Sequence, residues 1–176
     1  EAGGHWQQAL PLLSEMVDAE LEANVRTYFA AASACKHSGQ WRRALSLLRG
    51  CREVELTPNA ITYGAAIGAC ESGGQWQQAL LLLREASEAR LEPSVISCTS
   101  AMSACEKGGH WQQALLLLSG IQEARLEVDV VIYSAGISAC EKGLQWLQAL
   151  SLLSEMREVR LEPNIYSYNA AISACE

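Results

Sequence analysis

Apolar residues recur along the chain at spacings of three and four, the period of an α-helix, and no β-hairpin signal accompanies them. In the stretch 95–105, one helical face carries Val95, Cys98, Met102 and Cys105. A second apolar face occupies the stretch 75–89, where the inward residues are Trp76, Ala79, Leu80 and Leu83. Gly73 and Gly74 precede that stretch and favour a break between two helices. The pattern therefore predicts α-helices in consecutive pairs.

This helix pair repeats with a period of 35 residues, without insertion or deletion. The tryptophans and five of the seven cysteines keep the period: Trp6, Trp41, Trp76, Trp111, Trp146, Cys35, Cys70, Cys105, Cys140 and Cys175. Full units span 25–59, 60–94, 95–129 and 130–164, and partial units span 1–24 and 165–176. We predict an all-α fold, an α-solenoid of stacked antiparallel helix-turn-helix repeats, with one array over residues 1–176. Because the chain begins and ends in mid-unit, we expect it to be an excerpt from a longer array.

Composition narrows the classes of protein that fit this pattern. With 49% hydrophobic and 19% charged residues, the chain can bury enough apolar surface to fold, so disorder is excluded. No apolar run approaches the roughly 20 residues that a transmembrane helix needs, so we expect no membrane partner. The net charge of −7 argues against general attraction to phosphate. However, Arg26 is the only charged residue among the first eleven residues of the units that begin at 25, 60, 95, 130 and 165, so this part of the first helices is close to neutral.

The sequence lacks the residue clusters of a catalytic or metal site. Its seven cysteines include no Cys-x-x-Cys pair, so the zinc signature is absent. Buried free thiols in a reducing compartment are the simplest interpretation. The three histidines have no nucleophile or orienting acid nearby in the pattern. We expect no enzymatic activity, cofactor, metal or small-molecule substrate from this segment.

The period and the consensus of the units resemble the pentatricopeptide repeat (PPR) family in its P-type, 35-residue form. The resemblance is strongest over residues 130–143, 149–164 and 165–176, which carry S-A-C-E-K-G, L-E-P-N and Y-N-A-A-I-S-A-C-E respectively. The units depart from the family's usual form in their tryptophan, and in cysteine where the family often has leucine. The resemblance implies a right-handed α-solenoid, or superhelix.

The same resemblance implies sequence-specific binding of single-stranded RNA, one nucleotide per repeat, along the concave face formed by the first helices. It also implies a role in organellar RNA processing, editing or stability, in a mitochondrion or a plastid. In the family, the fifth and last residues of a unit read the base edge, and the second residue wedges between neighbouring bases.

Carried onto this sequence, the base-reading pairs are Phe29 with Asn59, Gly64 with Ser94, Thr99 with Asp129, and Ser134 with Asn164, while Asn169 begins a fifth pair. By the family's code the third pair selects guanine and the fourth adenine, which gives 5′-N-N-G-A. Phe29 and Gly64 depart from the code. The base-wedging residues are Arg26, Ile61, Ile96, Val131 and Tyr166, and the lysines expected to meet phosphate are Lys107 and Lys142.

Several of these residues also have an interpretation that needs no RNA. Asn59, Ser94, Asp129 and Asn164 stand just before the first helix of the following unit and are of types that cap helix N-termini. The tyrosines at the fourth position of the units lie on the predicted buried face, where core packing explains them. The alternative function is a protein–protein interaction scaffold of the helical-repeat type, with other proteins as partners. An uncharged first-helix face and an acidic outer surface suit that alternative.

Overall fold

The computed structural model describes residues 6–19, 21, 23–92, 94–124, 126 and 128–176, and its regular structure within those ranges is entirely α-helical. Ten helices are described there: α1 (Trp6–Asp18), α2 (Val25–Lys36), α3 (Trp41–Glu53), α4 (Ala60–Ser72), α5 (Trp76–Glu88), α6 (Val95–Lys107), α7 (Trp111–Glu123), α8 (Val130–Lys142), α9 (Trp146–Glu158) and α10 (Ile165–Ser173). The predicted all-α helical-repeat fold is confirmed. Each first helix from α2 onward begins at the first residue of a predicted unit, and each second helix begins at a tryptophan.

The chain forms two compact units, Glu1–Ser97 and Cys98–Glu176. In the first unit, α2 packs against α1, α3 and α4, and α4 also packs against α5. In the second unit, α8 packs against α7, α9 and α10. Each unit therefore repeats one scheme, in which a first helix contacts its own second helix and the first helix of the next repeat.

The core combines alanine, cysteine and methionine side chains with leucine, isoleucine and tyrosine. The periodic cysteines are buried as predicted, except for Cys175, which is exposed. Burial raises the pKa of the Cys70 thiol to about 12, and it raises the pKa of the Cys105 and Cys140 thiols to about 11. These thiols stay protonated at neutral pH, so they behave as small apolar core residues.

Glycine recurs at two consecutive positions in the turn between the helices of a repeat, and its role differs between them. The second of them adopts the left-handed conformation, with φ of 62° at Gly39, 66° at Gly74 and 71° at Gly109. Leu144 occupies the same repeat position with φ of 55° and is exposed. A glycine is therefore favoured at this position by backbone conformation.

The first glycine of the pair makes room for a tryptophan of the preceding repeat. A Cβ atom added to Gly73 would lie 2.5 Å from Cδ1 of Trp41, and one added to Gly143 would lie 2.1 Å from Cδ1 of Trp111. Gly143 itself has φ of −86°, which any residue can adopt. Close contact with the indole, not backbone conformation, therefore favours glycine here.

Candidate nucleic-acid interface

The last residue of each predicted unit caps the first helix of the next one. Its side-chain oxygen accepts a hydrogen bond from the backbone N–H three residues later, at Asn59 (3.0 Å), Ser94 (3.2 Å), Asp129 (2.9 Å) and Asn164 (3.0 Å). Asn24 caps α2 in the same way. The predicted capping role is confirmed for every one of the four predicted base-reading residues at this position.

All four caps are exposed, and in Asn59, Asp129 and Asn164 capping uses one of two polar side-chain atoms. Because a backbone N–H can only donate, the atom that it meets on Asn59 and Asn164 is the amide oxygen. The cap therefore leaves each amide NH2 group with two donors, whereas it leaves Asp129 with a second carboxylate oxygen, which only accepts. Ser94 has a single side-chain oxygen, which the cap uses.

One predicted base-reading pair is joined by hydrogen bonds. The hydroxyl oxygen of Ser134 lies 2.8 Å from that of Ser167, which in turn donates to the amide oxygen of Asn164 over 3.0 Å. The Ser134 hydroxyl also lies 2.6 Å from the carbonyl oxygen of Val130, so its single proton can be donated either to Val130 or to Ser167. Ser134 and Asn164 therefore occupy one bonded cluster, although they belong to α8 and to the turn before α10.

The other fifth-position residues differ in what they offer. Phe29, Gly64 and Thr99 are half-buried, and Asn169 is exposed. Phe29 and Gly64 have no polar side-chain atom with which to join Asn59 or Ser94. No heavy atom lies within 4 Å of a Cβ added to Gly64, so that position is open space.

The second-position residues form an exposed and largely apolar set. Arg26 is exposed, and the four others are each more than half exposed: Ile61, Ile96, Val131 and Tyr166. Each lies two residues after a capping residue and three before a fifth-position residue. Exposed aliphatic and aromatic side chains at a repeated surface position are typical of an interaction surface.

The two predicted phosphate-contacting lysines, Lys107 and Lys142, are both exposed. The Lys142 ammonium lies 3.0 Å from a carboxylate oxygen of Glu106. The same oxygen of Glu106 accepts a hydrogen bond of 2.9 Å from Ser138. Lys142 therefore forms an ion pair with the preceding repeat, which offsets part of the positive charge available to a phosphate.

A polar contact that the sequence analysis did not predict links a first-helix tyrosine with side chains of two second helices. Arg52 donates to the hydroxyl of Tyr63 and, over 2.9 Å, to Glu85. In the compact unit Cys98–Glu176, one carboxylate oxygen of Glu155 accepts a hydrogen bond from Gln122 over 2.6 Å and another from the Tyr133 hydroxyl over 2.9 Å. We call these contacts the tyrosine clasps. Their signal in the sequence is the spacing of 11 and 33 residues that both share.

Each tyrosine clasp holds a tyrosine that directly precedes the fifth residue of a repeat. Tyr63 directly precedes Gly64, and Tyr133 directly precedes Ser134. Both tyrosines are buried, which confirms their predicted place in the core, whereas Tyr168 is 40% exposed and departs from that prediction. Burial, with the hydrogen bond to Glu155 as a second cause, raises the pKa of Tyr133 to about 12. Tyr133 is therefore a neutral donor at physiological pH.

Other kinds of site leave little trace in the part of the chain that the structure describes. No group of three or more His, Cys, Asp or Glu residues there could hold a metal ion. Among the described helices, none has the length and apolar character needed to cross a bilayer.

These observations define a class of protein, a tandem array of 35-residue helix pairs whose first helices expose a repeated set of capping, apolar and polar residues. Residues 11–72 match the family model described as a pentatricopeptide repeat domain, and residues 128–176 match the model of the PPR repeat family. Together the two matches include more than half of the chain. The chain belongs to the pentatricopeptide repeat family.

Solved structures of the family share the fold. The PPR10 protein from maize is 23% identical with a TM-score of 0.78, over 97% of this chain and 24% of that one. Its complex with an 18-nt psaJ RNA element gives a TM-score of 0.77 at 23% identity, over 98% of this chain and 26% of that one. The PPR domain of Arabidopsis thaliana protein-only RNase P 1, in complex with tRNA, gives 0.82 at 12% identity, over 98% and 91%.

The chain spans about a quarter of the length of the maize protein. No curated protein sequence matches it significantly.

Proposed function

We propose that the chain binds single-stranded RNA on the exposed face of its first helices, one nucleotide per repeat. The observation that carries the proposal is the bonded cluster of Ser134 and Asn164, since it joins the fifth and last residues of one unit at the surface. Exposed Val131 and Tyr166, the second-position residues of this unit and the next, accompany that cluster. Polar readers with adjacent apolar or aromatic side chains suit a base that is read at its edge and stacked on its faces.

The outward atoms support a different base for each of two units. Asp129 presents an oxygen that only accepts, and guanine has N–H donors at N1 and N2 on its Watson–Crick edge. Asn164 presents amide N–H donors, and adenine has an acceptor at N1. The proposal therefore assigns guanine to Thr99 with Asp129 and adenine to Ser134 with Asn164.

The electrostatics favour weak binding by this chain alone. The first eleven residues of the units that begin at 25, 60, 95, 130 and 165 contain one charged residue in all, Arg26, and at the ends of the first helices Lys142 is paired with Glu106. For single-stranded RNA, a plot of the logarithm of the binding constant against the logarithm of the salt concentration has a slope of about −0.7 for each phosphate that the protein neutralises. A chain that neutralises few phosphates should therefore show a shallow slope. Most of the binding free energy would then come from stacking and base-edge contacts.

A protein-binding scaffold is the second candidate, and the exposed apolar second-position residues favour it. Ile61 and Ile96, which belong to one compact unit, would suit an apolar peptide as well as a base. Binding of an apolar peptide should be nearly independent of salt, whereas RNA binding should weaken as salt rises.

A substitution of Asp129 by Asn tests the proposal. The amide oxygen can still accept the cap hydrogen bond from Ile132, so the helix start is preserved while the outward acceptor becomes a donor. We expect the preference at the corresponding nucleotide to move from guanine toward adenine by about ten-fold. The measurement is fluorescence anisotropy of labelled oligonucleotides that differ at that nucleotide only.

Glu158→Gln is the matched control, because it removes one negative charge from an exposed second-helix position. It should leave the preference unchanged. An Asp129→Asn chain that retains its preference for guanine would show that Asp129 does not read a base. A chain that binds no oligonucleotide but binds apolar peptides, independently of salt, would support the scaffold instead.

On this proposal the chain acts in RNA processing, editing or stability in a mitochondrion or plastid, as its family resemblance implies. Fractionation of cells that express the tagged protein tests the compartment.

A further inference from the structure

We propose that Ser167 is a positioning residue for base selection, which fixes the polarity that Ser134 and Asn164 present to a nucleotide. The inference rests on the proposed function. It extends the reading set from the fifth and last residues of a unit to the third residue of the following unit, which touches both of them.

Ser167 directs both of its donors at Asn164. Its backbone N–H and its hydroxyl each lie 3.0 Å from the same amide oxygen. Thr62 makes the equivalent pair of bonds to Asn59, at 3.0 and 2.9 Å. Ser167 and Thr62 are fully buried, so solvent does not compete for these bonds. Two bonds to one oxygen hold the amide plane more firmly than the cap bond alone.

Each serine hydroxyl in the cluster has one proton and can therefore donate only one hydrogen bond. The Ser167 hydroxyl proton goes to Asn164. The Ser134 hydroxyl lies 2.6 Å from the carbonyl oxygen of Val130 and 2.8 Å from the Ser167 hydroxyl oxygen, so its only proton goes to one of these two and none is left to offer a base. Ser134 therefore presents an acceptor, and Asn164 presents donors.

For a base held in one orientation, an acceptor beside a donor complements adenine and cytosine. Adenine places an N–H donor at N6 beside the N1 acceptor, and cytosine places one at N4 beside the N3 acceptor. In that orientation guanine and uracil have a carbonyl oxygen beside a ring N–H at the same edge, which is the reversed order. The cluster of Ser134, Ser167 and Asn164 should therefore accept adenine or cytosine and reject guanine and uracil.

Two substitutions of Ser167 isolate its hydroxyl. Ser167→Thr keeps the hydroxyl and adds a methyl group, and Ser167→Val has a second methyl group in place of that hydroxyl, so the two variants have nearly the same volume and differ only in the hydroxyl. Both shapes have a precedent in this chain, because Thr62 and Ile132 occupy the same repeat position and are fully buried. Ser167→Ala is a second variant without the hydroxyl, and circular dichroism checks that all three variants fold.

The readout is the ratio of affinities for four oligonucleotides that differ only at the nucleotide of this unit. We expect Ser167→Thr to keep the preference of the wild-type chain for adenine and cytosine. Ser167→Val and Ser167→Ala should lower that ratio by about three- to ten-fold, the effect of one lost hydrogen bond. A purely structural role would weaken binding to all four oligonucleotides equally, and an unchanged ratio in Ser167→Val would overturn the inference.

A measurement without RNA separates this inference from the proposed function. The NMR order parameter of the Asn164 side-chain NH2 group should be high in the wild-type chain and in Ser167→Thr, and lower in Ser167→Val. Equal values in all of them would show that Ser167 does not hold the amide, and would overturn the inference. A wild-type chain with the expected order parameters that binds none of the oligonucleotides would instead overturn the proposed function.

Discussion

Replacement of Gly143 by alanine should destabilise the second compact unit by steric overlap alone. Gly143 has φ of −86° and ψ of 1°, close to the φ of −75° and ψ of 7° that Ala89 adopts, so alanine is compatible with this backbone conformation. Its Cβ would lie 2.1 Å from Cδ1 and 2.6 Å from Cγ of Trp111, more than an ångström inside ordinary van der Waals contact. The indole, or the end of α8, has to move.

Overpacking of this kind costs about 1–3 kcal/mol of unfolding free energy. For a chain of this size, each kcal/mol corresponds to about 2–4 °C in the midpoint of thermal unfolding. The assay is urea unfolding followed by circular dichroism and by tryptophan fluorescence. Gly120→Ala is the matched control, because Gly120 lies within α7 and a Cβ there meets no heavy atom within 4 Å. That variant should be more stable by about 0.5–1 kcal/mol.

A double-mutant cycle isolates the overlap. In a Trp111→Ala background the indole is gone, so Gly143→Ala should have little effect on stability. The steric reasoning is refuted if the substitution costs as much in that background as in the wild-type chain. It also fails if Gly143→Ala is as stable as Gly120→Ala.

Two further predictions concern charge and backbone conformation. Glu106→Gln should free Lys142 for a phosphate, so RNA binding tightens and the salt slope steepens by about 0.7; a salt titration in which Glu158→Gln has an equal effect would contradict this. Leu144→Gly should raise the unfolding free energy in urea by about 1 kcal/mol, because it places glycine at a left-handed position where Gly109 already serves. Gly109→Leu should lower it by a similar amount, and a destabilised Leu144→Gly chain would contradict the argument.

Sequence periodicity could predict where each helix begins, because the signals for a helix start are local. A capping residue such as Asn59, followed by an apolar period of three to four, predicts the first residue of α4. The exposure of Ile61 and the burial of Tyr63 follow from the same helical period. Fold and surface positions were therefore predictable from short stretches.

Contacts between neighbouring repeats were not predictable in this way. The pairing of Lys142 with Glu106 depends on how one first helix is rotated on the next, which no short stretch of sequence encodes. The same holds for the tyrosine clasps and for the contact of Trp111 with Gly143. A period of 35 residues fixes which repeats are neighbours, but it leaves open which side chains meet.

Capping and base reading are compatible only in side chains that have two polar ends. Asn164 directs its oxygen to the helix and its NH2 group outward, and Asp129 divides its two oxygens in the same way. Ser94 has a single oxygen, which accepts the N–H of Ser97 and lies 3.2 Å from the Ser97 hydroxyl. Its capping role therefore leaves little for a base, and Gly64, its partner in the unit, adds nothing. If the chain binds RNA as proposed, unit 60–94 should consequently tolerate any nucleotide, and units 95–129 and 130–164 should provide the selectivity.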